Sequence, residues 1–571
     1  MKRSGDSGDN TQAGRENPAD CGDSPKEIPA RRGFSISYKG KSLLSRVDPV
    51  AHGERVAAEL LVKEDTLYFC PSPLYGYGLD TLLRRLPESS VVLCVEADEA
   101  LFQISQRALG ELGGGGAMRP LALVQAAQPA QPGELCAFVR ETWGQRRFRR
   151  VEEIRLGGGW QVFPHLYEEL IRALRREIAV EWGNAMTLIR LGRLYARNFI
   201  RNLAFLPDGE DIAALNFGPS PVLALGAGPS LDYVLDGLAT AAAAGRRFAI
   251  VCVDTCLQAL NERSIRPDLV VILESQHWNI RDFSGARGRN IDAAIDLSAL
   301  PASARVLAGK RFFFATPWTE LSLFTRLGQA GLLPRAFAPL GSVALSAVAL
   351  ALSVSCGPVL TAGIDFSFTL DAYHARSTPQ SLELERSQRR TRSGINAAAA
   401  LRDGTFAARS KAGHSVRSDP AMRNYRDLFQ QEFGGNPRLL DISGPGLPLG
   451  VKTISLPEAA EILNGGADTP PRGPASSKPP PPGREAMAAF IRREMAALTV
   501  LRDALSGERP LNPARVDELL DTASYLWAHF PECAGAGGRR PATADISFLK
   551  RVRTEIEPFL KCWEMAAPRR A

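Results

Sequence analysis

The chain has 571 residues, of which 45% are hydrophobic and 23% are charged, with a formal net charge of +7 at pH 7. The length suits two to four domains, and the composition is that of ordinary globular proteins. No apolar run approaches the roughly 18 to 20 residues that a membrane helix needs. The basic residues alternate with acidic ones and lack an aromatic and basic recognition motif. These features predict no membrane insertion and no nucleic-acid partner.

The first 35 residues are expected to form a disordered leader. They are rich in small, polar and charged residues and lack the apolar core of a secretion signal. The nine cysteines are scattered and mostly lie inside apolar runs, as reduced core thiols do, and not at the spacings of a disulfide framework. Both features predict a cytoplasmic protein.

Residues 36–160 are predicted to form a small Rossmann-like domain. A strand from Thr66, a glycine turn at 76–78, a helix through Leu83 and a strand from Val91 that ends at Glu96 follow one another. In such a unit the closing acid can bind a ribose hydroxyl. Because the glycine spacing departs from G-x-G-x-x-G, a structural domain is the stronger reading, and a nucleotide or methyl-donor site stays open as the alternative.

Four further segments follow along the chain. Residues 161–215 have apolar positions at helical spacing and are predicted to be a helical connector. Residues 216–464 alternate between short β-branched runs and longer helical ones, which is typical of an α/β domain with a doubly wound parallel sheet. Residues 465–484 are rich in Pro and Gly and read as an extended linker. Residues 485–571 are predicted to form a C-terminal bundle of amphipathic helices.

The strongest motif is the sequence Leu-Gly-Ala-Gly-Pro-Ser-Leu-Asp at 225–232, between an apolar strand and a helix. Gly226 and Gly228 allow the backbone to approach a bound group closely, and Pro229 is tolerated in a first helical turn. Ser230 can cap the helix or donate a hydrogen bond. Since a helix amino terminus favours anions, this turn predicts a phosphate site. A tight turn without a ligand remains the alternative.

Acidic residues follow the next two strands. Asp254 comes after the strand that ends at Val253, and Glu274 comes after the strand that ends at Leu273. Because the carboxyl ends of parallel strands line the crevice where open α/β sheets bind ligands, both are candidates for contact with a base or ribose. Each position alone is ordinary, because most strands end in a polar residue.

Three more motifs make the pattern specific. They are Pro-Asp-Leu-Val-Val from residue 267, Gly-Ser-Val-Ala-Leu-Ser-Ala-Val-Ala-Leu-Ala-Leu from residue 341 and Ala-Gly-Ile-Asp-Phe from residue 362. With the glycine turn, this set resembles the motility accessory factor (Maf) family of flagellin glycosyltransferases over residues 219–445. It is also similar to bacterial CMP-sialic acid transferases, whose donor loop, central helix and Gly-Ile-Asp-Phe strand match in order.

The resemblance implies a donor site. It assigns the 226–230 turn to the phosphate and ribose of the donor, and it places Gly341 and Ser342 near the donor sugar or its carboxylate. Asp365 would end its strand beside the nucleotide. Asp254 and Glu274 stand where those transferases have donor-contacting asparagines, so this chain departs from them in side-chain charge.

The resemblance also implies catalytic residues. The transferases have two tyrosines that stabilise the departing phosphate, which align here with Ser367 and Tyr373. Their catalytic histidine lies in a Gly-His-Ser motif, which corresponds to His414 here, and His374 is the rival base. The polar stretch 376–411 suits a mobile lid over an anionic donor. Its basic residues include Arg389, Arg390 and Arg392.

The expected function is therefore transfer of a nonulosonic sugar from a CMP-activated donor to flagellin hydroxyls, in support of flagellar assembly and motility. The resemblance implies neither a metal nor a cofactor besides the donor. One alternative is an MptE-like pterin diphosphokinase that uses ATP and Mg²⁺, although the stretch Leu-Glu-Ser-Gln-His from residue 273 lacks the clustered aspartates that such chemistry needs. The other alternative is a flagellin-binding protein with a degenerate, non-catalytic transferase fold.

Overall fold

A computed structural model describes residues 24–110, 120–126, 131–144, 147–391, 397–465, 473–474, 483–507, 512–534, 540–541 and 545–567. The chain divides into two compact units, one of residues 1–186 with 534–537 and one of residues 187–533 with 538–571. The boundary between the units falls inside a single long helix, Pro164–Asn202, where the sequence predicts a connector from residue 161 to residue 215. In the part of the chain that the structure describes, no helix combines the length and the apolarity needed to cross a bilayer.

The first unit combines a short antiparallel sheet with a parallel one. The elements are β1 (Lys26–Pro29), β2 (Phe34–Tyr38), β3 (Lys41–Ser42), α1 (Pro49–Glu59), β4 (Thr66–Pro71), α2 (Leu79–Leu83), β5 (Val91–Glu96), α3 (Glu99–Gly110), β6 (Leu121–Gln125), α4 (Pro132–Trp143) and β7 (Arg150–Glu153). Within the described residues, the parallel sheet has the order β6-β5-β4-β7.

Two predictions for this unit have different outcomes. The predicted strand, turn, helix and strand is present as β4, α2 and β5, so the Rossmann-like topology is confirmed. The expectation of a disordered leader is wrong for residues 26–29 and 34–35, because β1 pairs antiparallel with β2, from Lys26 against Ser37 to Pro29 against Phe34. The composition of the leader does not reveal this pairing with β2, whose apolar residue Ile36 lies just beyond the predicted leader and is fully buried. Residues 1–23 of the predicted leader lie outside the described residues.

The second unit is built on a wide parallel sheet. The strands of the unit are β8 (Glu210–Asp211), β9 (Leu215–Asn216), β10 (Val222–Leu225), β11 (Ala249–Val253), β12 (Leu269–Ile272), β13 (Asp292–Asp296), β14 (Arg311–Phe314), β15 (Val359–Ala362), β16 (Phe406–Arg409), β17 (Ser415–Ser418), β18 (Leu439–Ile442), β19 (Lys452–Ile454) and β20 (Gly473–Pro474). Within the described residues, the order of the wide sheet is β19-β18-β15-β10-β11-β12-β13-β14-β8.

The remaining elements are helices. They are α5 (Pro164–Asn202), α6 (Asp232–Ala243), α7 (Leu257–Glu262), α8 (Ser322–Gln329), α9 (Val343–Val354), α10 (Pro379–Arg386), α11 (Ala397–Ala400), α12 (Pro420–Phe433), α13 (Leu456–Asn464), α14 (Arg484–Ser506), α15 (Pro513–Thr522), α16 (Pro531–Ala534) and α17 (Ile546–Ala566). Neighbouring strands of the wide sheet pair in parallel, which confirms the predicted doubly wound α/β fold.

The direction of strand addition reverses at β10. The chain proceeds from β10 through β11, β12 and β13 to β14 on one side, and then returns to place β15 and β18 on the other. Such a reversal creates a crevice at the carboxyl ends of the two strands, here β10 and β15, where open α/β sheets bind ligands. Both strands are buried along their whole length, so their apolar side chains serve the core on both faces.

The C-terminal helices share one hydrophobic core with the wide sheet, although the sequence predicts a separate domain for residues 485–571. Buried side chains of α14 and α17, such as Phe490 and Trp563, belong to the same cluster as the strands. Arg326 of α8 forms a two-pronged ion pair with the buried Glu494 of α14, with both N–O distances at 2.8 Å. Amphipathic spacing reveals the apolar face of a helix but not what covers it, which is why the sequence does not show this packing.

The predicted linker lies mostly outside the described residues, which omit 466–472 and 475–482. Between these two stretches, Gly473–Pro474 pairs antiparallel with Leu215–Asn216.

Candidate functional site

The glycine turn packs directly against the loop that follows β15. A Cβ atom at Gly226 would lie 2.3 Å from the carbonyl oxygen of Gly363, and one at Gly228 would lie 2.5 Å from Oδ2 of Asp365. The amide of Gly228 donates to the Gly363 carbonyl at 2.8 Å. The two glycines therefore allow two loops to meet at the reversal point of the sheet, where the sequence analysis expects close approach to a phosphate.

The side chain of Asp365 binds at the amino-terminal end of the helical segment that follows the glycine turn. Its Oδ2 accepts from the amide of Ser230 at 2.7 Å, and its Oδ1 accepts from the Ser230 hydroxyl at 2.5 Å. That hydroxyl also accepts from the amide of Gly363 at 2.9 Å. Both side chains are buried. Burial raises the pKa of Asp365, and the positive charge of Lys411 opposes the shift. The amides of Gly228 and Ser230, which we expect at a phosphate, are thus bound to groups of the protein itself in this structure.

A third loop, residues 443–447 after β18, continues the stack. The amide of Leu447 donates to the Asp365 carbonyl at 2.8 Å, and a Cβ at Gly446 would lie 2.6 Å from Oδ1 of Asp365. Ser367 lies in the same layer, where its buried hydroxyl is 3.1 Å from the carbonyl of Pro445 and 3.2 Å from that of Asp365. The Ser367 hydroxyl is therefore engaged with backbone carbonyls, in place of the leaving phosphate that the resemblance assigns to it.

An acidic cavity of about 290 Å³ lies where the carboxyl ends of β11, β12, β13 and β14 meet the amino-terminal end of α9. It brings together three of the predicted donor residues, Asp254, Glu274 and Gly341, and adds Asp282, which the sequence analysis did not select. Asp282 follows no strand but lies in a short helical turn, so its position carries no signal that could have identified it. Other lining residues include Tyr195, Ser275, Ser298, Thr316, Trp318, Val343 and Ser346.

Two carboxylates of this cavity, Asp254 and Asp282, have raised pKa values, although the nearby charge of Arg281 acts to lower the pKa of Asp282. Burial, and after it the charge of Asp282, raises the pKa of Asp254 to about 7, and burial raises the pKa of Asp282 to about 6. The side-chain amide nitrogen of Asn279 donates to both acids, to Asp254 Oδ2 at 2.6 Å and to Asp282 Oδ2 at 3.4 Å. Among the described residues that line the cavity there is no Lys, Arg or His. The cavity is therefore suited to uncharged groups that donate hydrogen bonds.

No metal site is evident here, since the described residues contain no group of three or more His, Cys, Asp or Glu side chains placed to hold an ion.

Gly341 and Ser342 form the entrance to α9. Gly341 has φ +68°, and a Cβ there would lie 3.2 Å from Cε1 of Tyr425 on α12. Ser342 precedes the first residue of α9 with an extended backbone, and its side chain makes no capping hydrogen bond. The amino-terminal end of α9, with its favourable dipole for an anion, thus borders the acidic cavity through Val343. Tyr425 also packs on Phe366, with ring centroids 6.4 Å apart.

Two adjoining cavities lie on α10. One of about 570 Å³ is lined by Pro229, Asp232 and Arg376, among others, and one of about 310 Å³ is lined by Tyr373 and His374. Both cavities are also lined by Asp371, Ala372, Ser381 and Leu384.

The two aromatic residues of the smaller cavity differ in their surroundings. The ring of Tyr373 packs on Phe368 with centroids 4.9 Å apart, and burial raises the pKa of its hydroxyl. Burial lowers the pKa of His374 to about 4, against the effect of a hydrogen bond with Gln380. Its Nδ1 has no hydrogen-bond partner among the described residues. His374 is therefore a neutral imidazole at pH 7, and one of its ring nitrogens makes no hydrogen bond within the described residues.

His414 lies at the exposed tip of the β16–β17 hairpin. Its amide donates to the Ser410 hydroxyl at 2.9 Å, and its carbonyl accepts from the Ser410 amide at 2.9 Å. Gly413 has φ +82°, which explains the glycine of the Gly-His-Ser motif. The structure thus places His414 on a turn and its rival in a cavity, and the choice between them stays a prediction. Of the predicted lid residues, Arg389 and Arg390 are exposed and Arg392 lies outside the described residues.

Glu96 of the first unit is fully engaged within the protein. Its carboxylate accepts from the hydroxyls of Ser72 at 2.6 Å and Tyr167 at 2.9 Å, and from the amides of Ala97 and Asp98 at 3.0 and 3.3 Å. Burial raises the pKa of Glu96 to about 6. This arrangement favours the structural reading of the first unit over a nucleotide site at Glu96.

Comparisons with known proteins agree with this architecture. The family model for 6-hydroxymethylpterin diphosphokinase MptE-like proteins matches residues 197–371. An uncharacterized protein of Treponema pallidum (strain Nichols) is 30% identical over 559 residues, which are 94% of each chain. A solved Maf glycosyltransferase from Magnetospirillum magneticum AMB-1 has a TM-score of 0.55 and 14% identity to this chain, covering 95% of this chain and 91% of its own. At that identity the similarity shows a shared fold.

Proposed function

We propose that this chain, which belongs to the same family as the Treponema pallidum protein and contains an MptE-like domain, is a glycosyltransferase. The proposed reaction moves a nonulosonic, sialic-acid-like sugar from a CMP-sugar to Ser or Thr hydroxyls of flagellin. The observation that carries the proposal is the Maf glycosyltransferase fold, which extends over 95% of the chain. The motif resemblance supports the donor and the acceptor.

The reaction needs few groups from the protein. The acceptor hydroxyl loses its proton to a base as its oxygen bonds to the anomeric carbon. The bond from that carbon to the phosphate oxygen breaks, and CMP leaves with the electron pair. A histidine suits the first task because its ordinary pKa lies near neutrality. Hydrogen-bond donors near the phosphate suit the second task. Tyr373 is our candidate for that donor, since it lines a cavity and keeps its hydroxyl protonated at neutral pH.

The acidic cavity is the proposed site for an uncharged part of the donor. Sugar hydroxyls and an exocyclic amine donate hydrogen bonds that Asp254, Glu274 and Asp282 accept. The anionic part of the donor fits better at Gly341 and Ser342, because the amino-terminal end of α9 favours negative charge. Because the acidic side chains of the cavity repel phosphate, we place the phosphate of the donor outside the cavity itself.

His414 and His374 are the two candidates for the base. The resemblance favours His414, and exposure at a hairpin tip leaves its imidazole open to a large acceptor. His374 has an unpaired ring nitrogen beside Tyr373 among the described residues, but a pKa of about 4 makes it a weak base at neutral pH. We therefore propose His414 as the base and treat His374 as the matched control.

The decisive experiment incubates the purified chain with candidate CMP-sugars and unmodified flagellin. We expect the intact mass of flagellin to increase by one or more sugar residues while CMP is released. His414→Ala should reduce transfer by roughly 10² to 10⁴-fold, the usual contribution of a general base, with little change in donor affinity.

Two results would change this assignment. Loss of transfer in His374→Ala with normal transfer in His414→Ala would move the role to His374. Flagellin binding without any CMP release would refute the enzymatic proposal.

The MptE-like match favours a second candidate function. The family model covers residues 197–371, which include β10 to β15, and the proteins it describes carry a diphosphokinase name. The second candidate is therefore transfer of diphosphate from ATP to a hydroxymethylpterin. Incubation with ATP, Mg²⁺ and 6-hydroxymethyl-dihydropterin tests it, and formation of AMP with the pterin diphosphate would replace the glycosyltransferase proposal.

A further inference from the structure

The hairpin that carries His414 is attached to the sheet by a buried ion pair. Nζ of Lys411 lies 2.7 Å from each carboxylate oxygen of Asp441, and the two side chains are only 2% and 1% exposed. Asp441 belongs to β18, and its Oδ1 also accepts from the hydroxyl of Thr361 on β15 at 2.9 Å. The ion pair therefore connects the hairpin tip to two neighbouring strands at the reversal point.

Hydrogen bonds of the backbone connect Lys411 to the 443–447 loop and, within the turn, to His414. The amide of Lys411 donates to the carbonyl of Gly446, in the loop that rests on Asp365, at 2.8 Å. Within the turn, the Gly413 amide donates to the Ser410 carbonyl at 2.9 Å. The Ser410 hydroxyl also accepts from the His414 amide at 2.9 Å. The backbone of His414 is thus bound within its own turn and lies three residues from the buried ion pair.

The Lys411–Asp441 ion pair is buried, so each charge depends on the other for its stability. Burial raises the pKa of Asp441 to about 6 and the charge of Lys411 lowers it, so the ion pair carries part of the cost of burying this carboxylate. Lys411 acts in the same direction on the pKa of Asp365. Apolar side chains of similar volume would attach a hairpin at less cost. An ion pair that also has a hydrogen bond from Thr361 instead defines a single geometry.

We propose that Lys411 is a positioning residue, whose ion pair with Asp441 holds the 410–414 turn on the 443–447 loop and thereby holds His414 in one place. The positioning role rests on the proposed function, because it requires His414 to be the base. The attachment of the 410–414 turn to the 443–447 loop is independent of the proposed function. Lys411 itself is too buried to contact a substrate.

Lys411→Met in the full chain tests the proposal. We expect faster hydrogen exchange in residues 406–418, a kcat for transfer that is about 10- to 100-fold lower, and an unchanged KM for the donor. Lys411→Arg should restore part of kcat, because it keeps the charge. The matched control is Lys452→Met on the neighbouring strand β19, an exposed lysine whose loss should change neither quantity.

A second variant guards against misfolding. Lys411→Met leaves Asp441 buried without its partner, whereas Lys411→Met with Asp441→Leu removes both charges and should fold. This double variant should also show a mobile turn and a low kcat. Wild-type exchange in residues 406–418 of the double variant would overturn the attachment, and fast exchange with a wild-type kcat would overturn the positioning role. Absence of transfer by the wild-type chain would refute the proposed function, while the exchange result would still decide the attachment.

Discussion

The substitution Gly228→Val distinguishes two explanations for the glycine turn. In one, the glycines admit a phosphate, and in the other they allow the turn to pack against the loop after β15. Gly228 has φ −70° and ψ 167°, a conformation that any residue adopts, so the substitution brings no backbone strain. The conflict is steric, because a Cβ would lie 2.5 Å from Asp365 Oδ2 and 2.8 Å from the Gly363 carbonyl. Asp365 would have to move away from Ser230, and the loop after β15 would move with it.

The expected cost follows from these contacts. Overpacking a filled site costs about 1 to 3 kcal/mol, and a hydrogen bond to a charged group contributes about 1.5 to 3 kcal/mol. If one of the two Ser230 hydrogen bonds is lost, Gly228→Val destabilises the second unit by roughly 2.5 to 6 kcal/mol. The variant would then lose donor binding because the unit unfolds more easily, and not because a phosphate is blocked.

Urea unfolding followed by tryptophan fluorescence measures this effect. The urea concentration at the midpoint of unfolding should fall strongly for the second unit, and the midpoint for the first unit should stay unchanged. Gly237→Ala is the control, since Gly237 lies in α6 with open space around it, and alanine there should stabilise the helix by about 0.5 to 1 kcal/mol. A Gly228→Val chain that unfolds like the wild type but no longer binds CMP would refute the packing explanation and restore the phosphate one.

Three further predictions concern other parts of the molecule. Because burial raises the pKa of Asp254 to about 7, the folded state binds a proton that the unfolded state, with a pKa of about 3.9, releases. Stability should therefore fall as pH rises from about 4 to 7, and Asp254→Asn should weaken this fall in thermal melts at a series of pH values. Glu96→Gln should lower the stability of the first unit without changing donor affinity measured by calorimetry, because its carboxylate accepts only internal hydrogen bonds; loss of donor binding would revive the nucleotide reading. Limited proteolysis should first cut within residues 465–484, but the two fragments should stay together in gel filtration because α14 and α17 share the core of the wide sheet.

Much of the fold could be predicted because buried parallel strands are continuous apolar runs. The strands predicted to begin at Thr66 and Val91 begin there, as β4 and β5. The strands predicted to end at Val253 and Leu273 end at Val253 and Ile272, as β11 and β12. Strand β13 was not predicted, because its sequence Asp-Ala-Ala-Ile-Asp begins and ends with a carboxylate. In the structure Asp292 accepts from the Lys310 amide, and Asp296 accepts from the hydroxyls of Ser298 and Thr316. These hydrogen bonds allow both carboxylates to be buried in a strand. A search for apolar runs cannot detect such partners, so it misses this strand.

The site was predictable in location but not in its contacts. Motif positions identified the carboxyl edge of the sheet, because every parallel strand ends there. They could not show that Asp365 binds Ser230, since the two residues are 135 positions apart in the chain. Lys411 was predicted to be a polar lid residue because its partner, Asp441, is also far away in the chain. Asp441 lies on β18, a strand that was not predicted.

These contacts move the expected anion site from α6 to α9, and one substitution tests the change. At α6 the amide of Ser230 is already bound to Asp365, whereas the first amides of α9 border the acidic cavity through Val343. Val343→Pro removes one of these amides at little structural cost, because proline is favoured at the first helical position and the preceding residue, Ser342, has the extended backbone that proline requires, with φ −138° and ψ 133°. Val343→Ala keeps the amide and is the control for the lost side chain. If a phosphate or carboxylate of the donor binds here, calorimetry should show affinity for the CMP-sugar about 2- to 30-fold weaker for the proline variant than for the alanine variant, which corresponds to about 0.3 to 2 kcal/mol. Equal affinities for the two variants would show that the anion binds elsewhere, and the cavities on α10 that Arg376 lines would then be the next place to search.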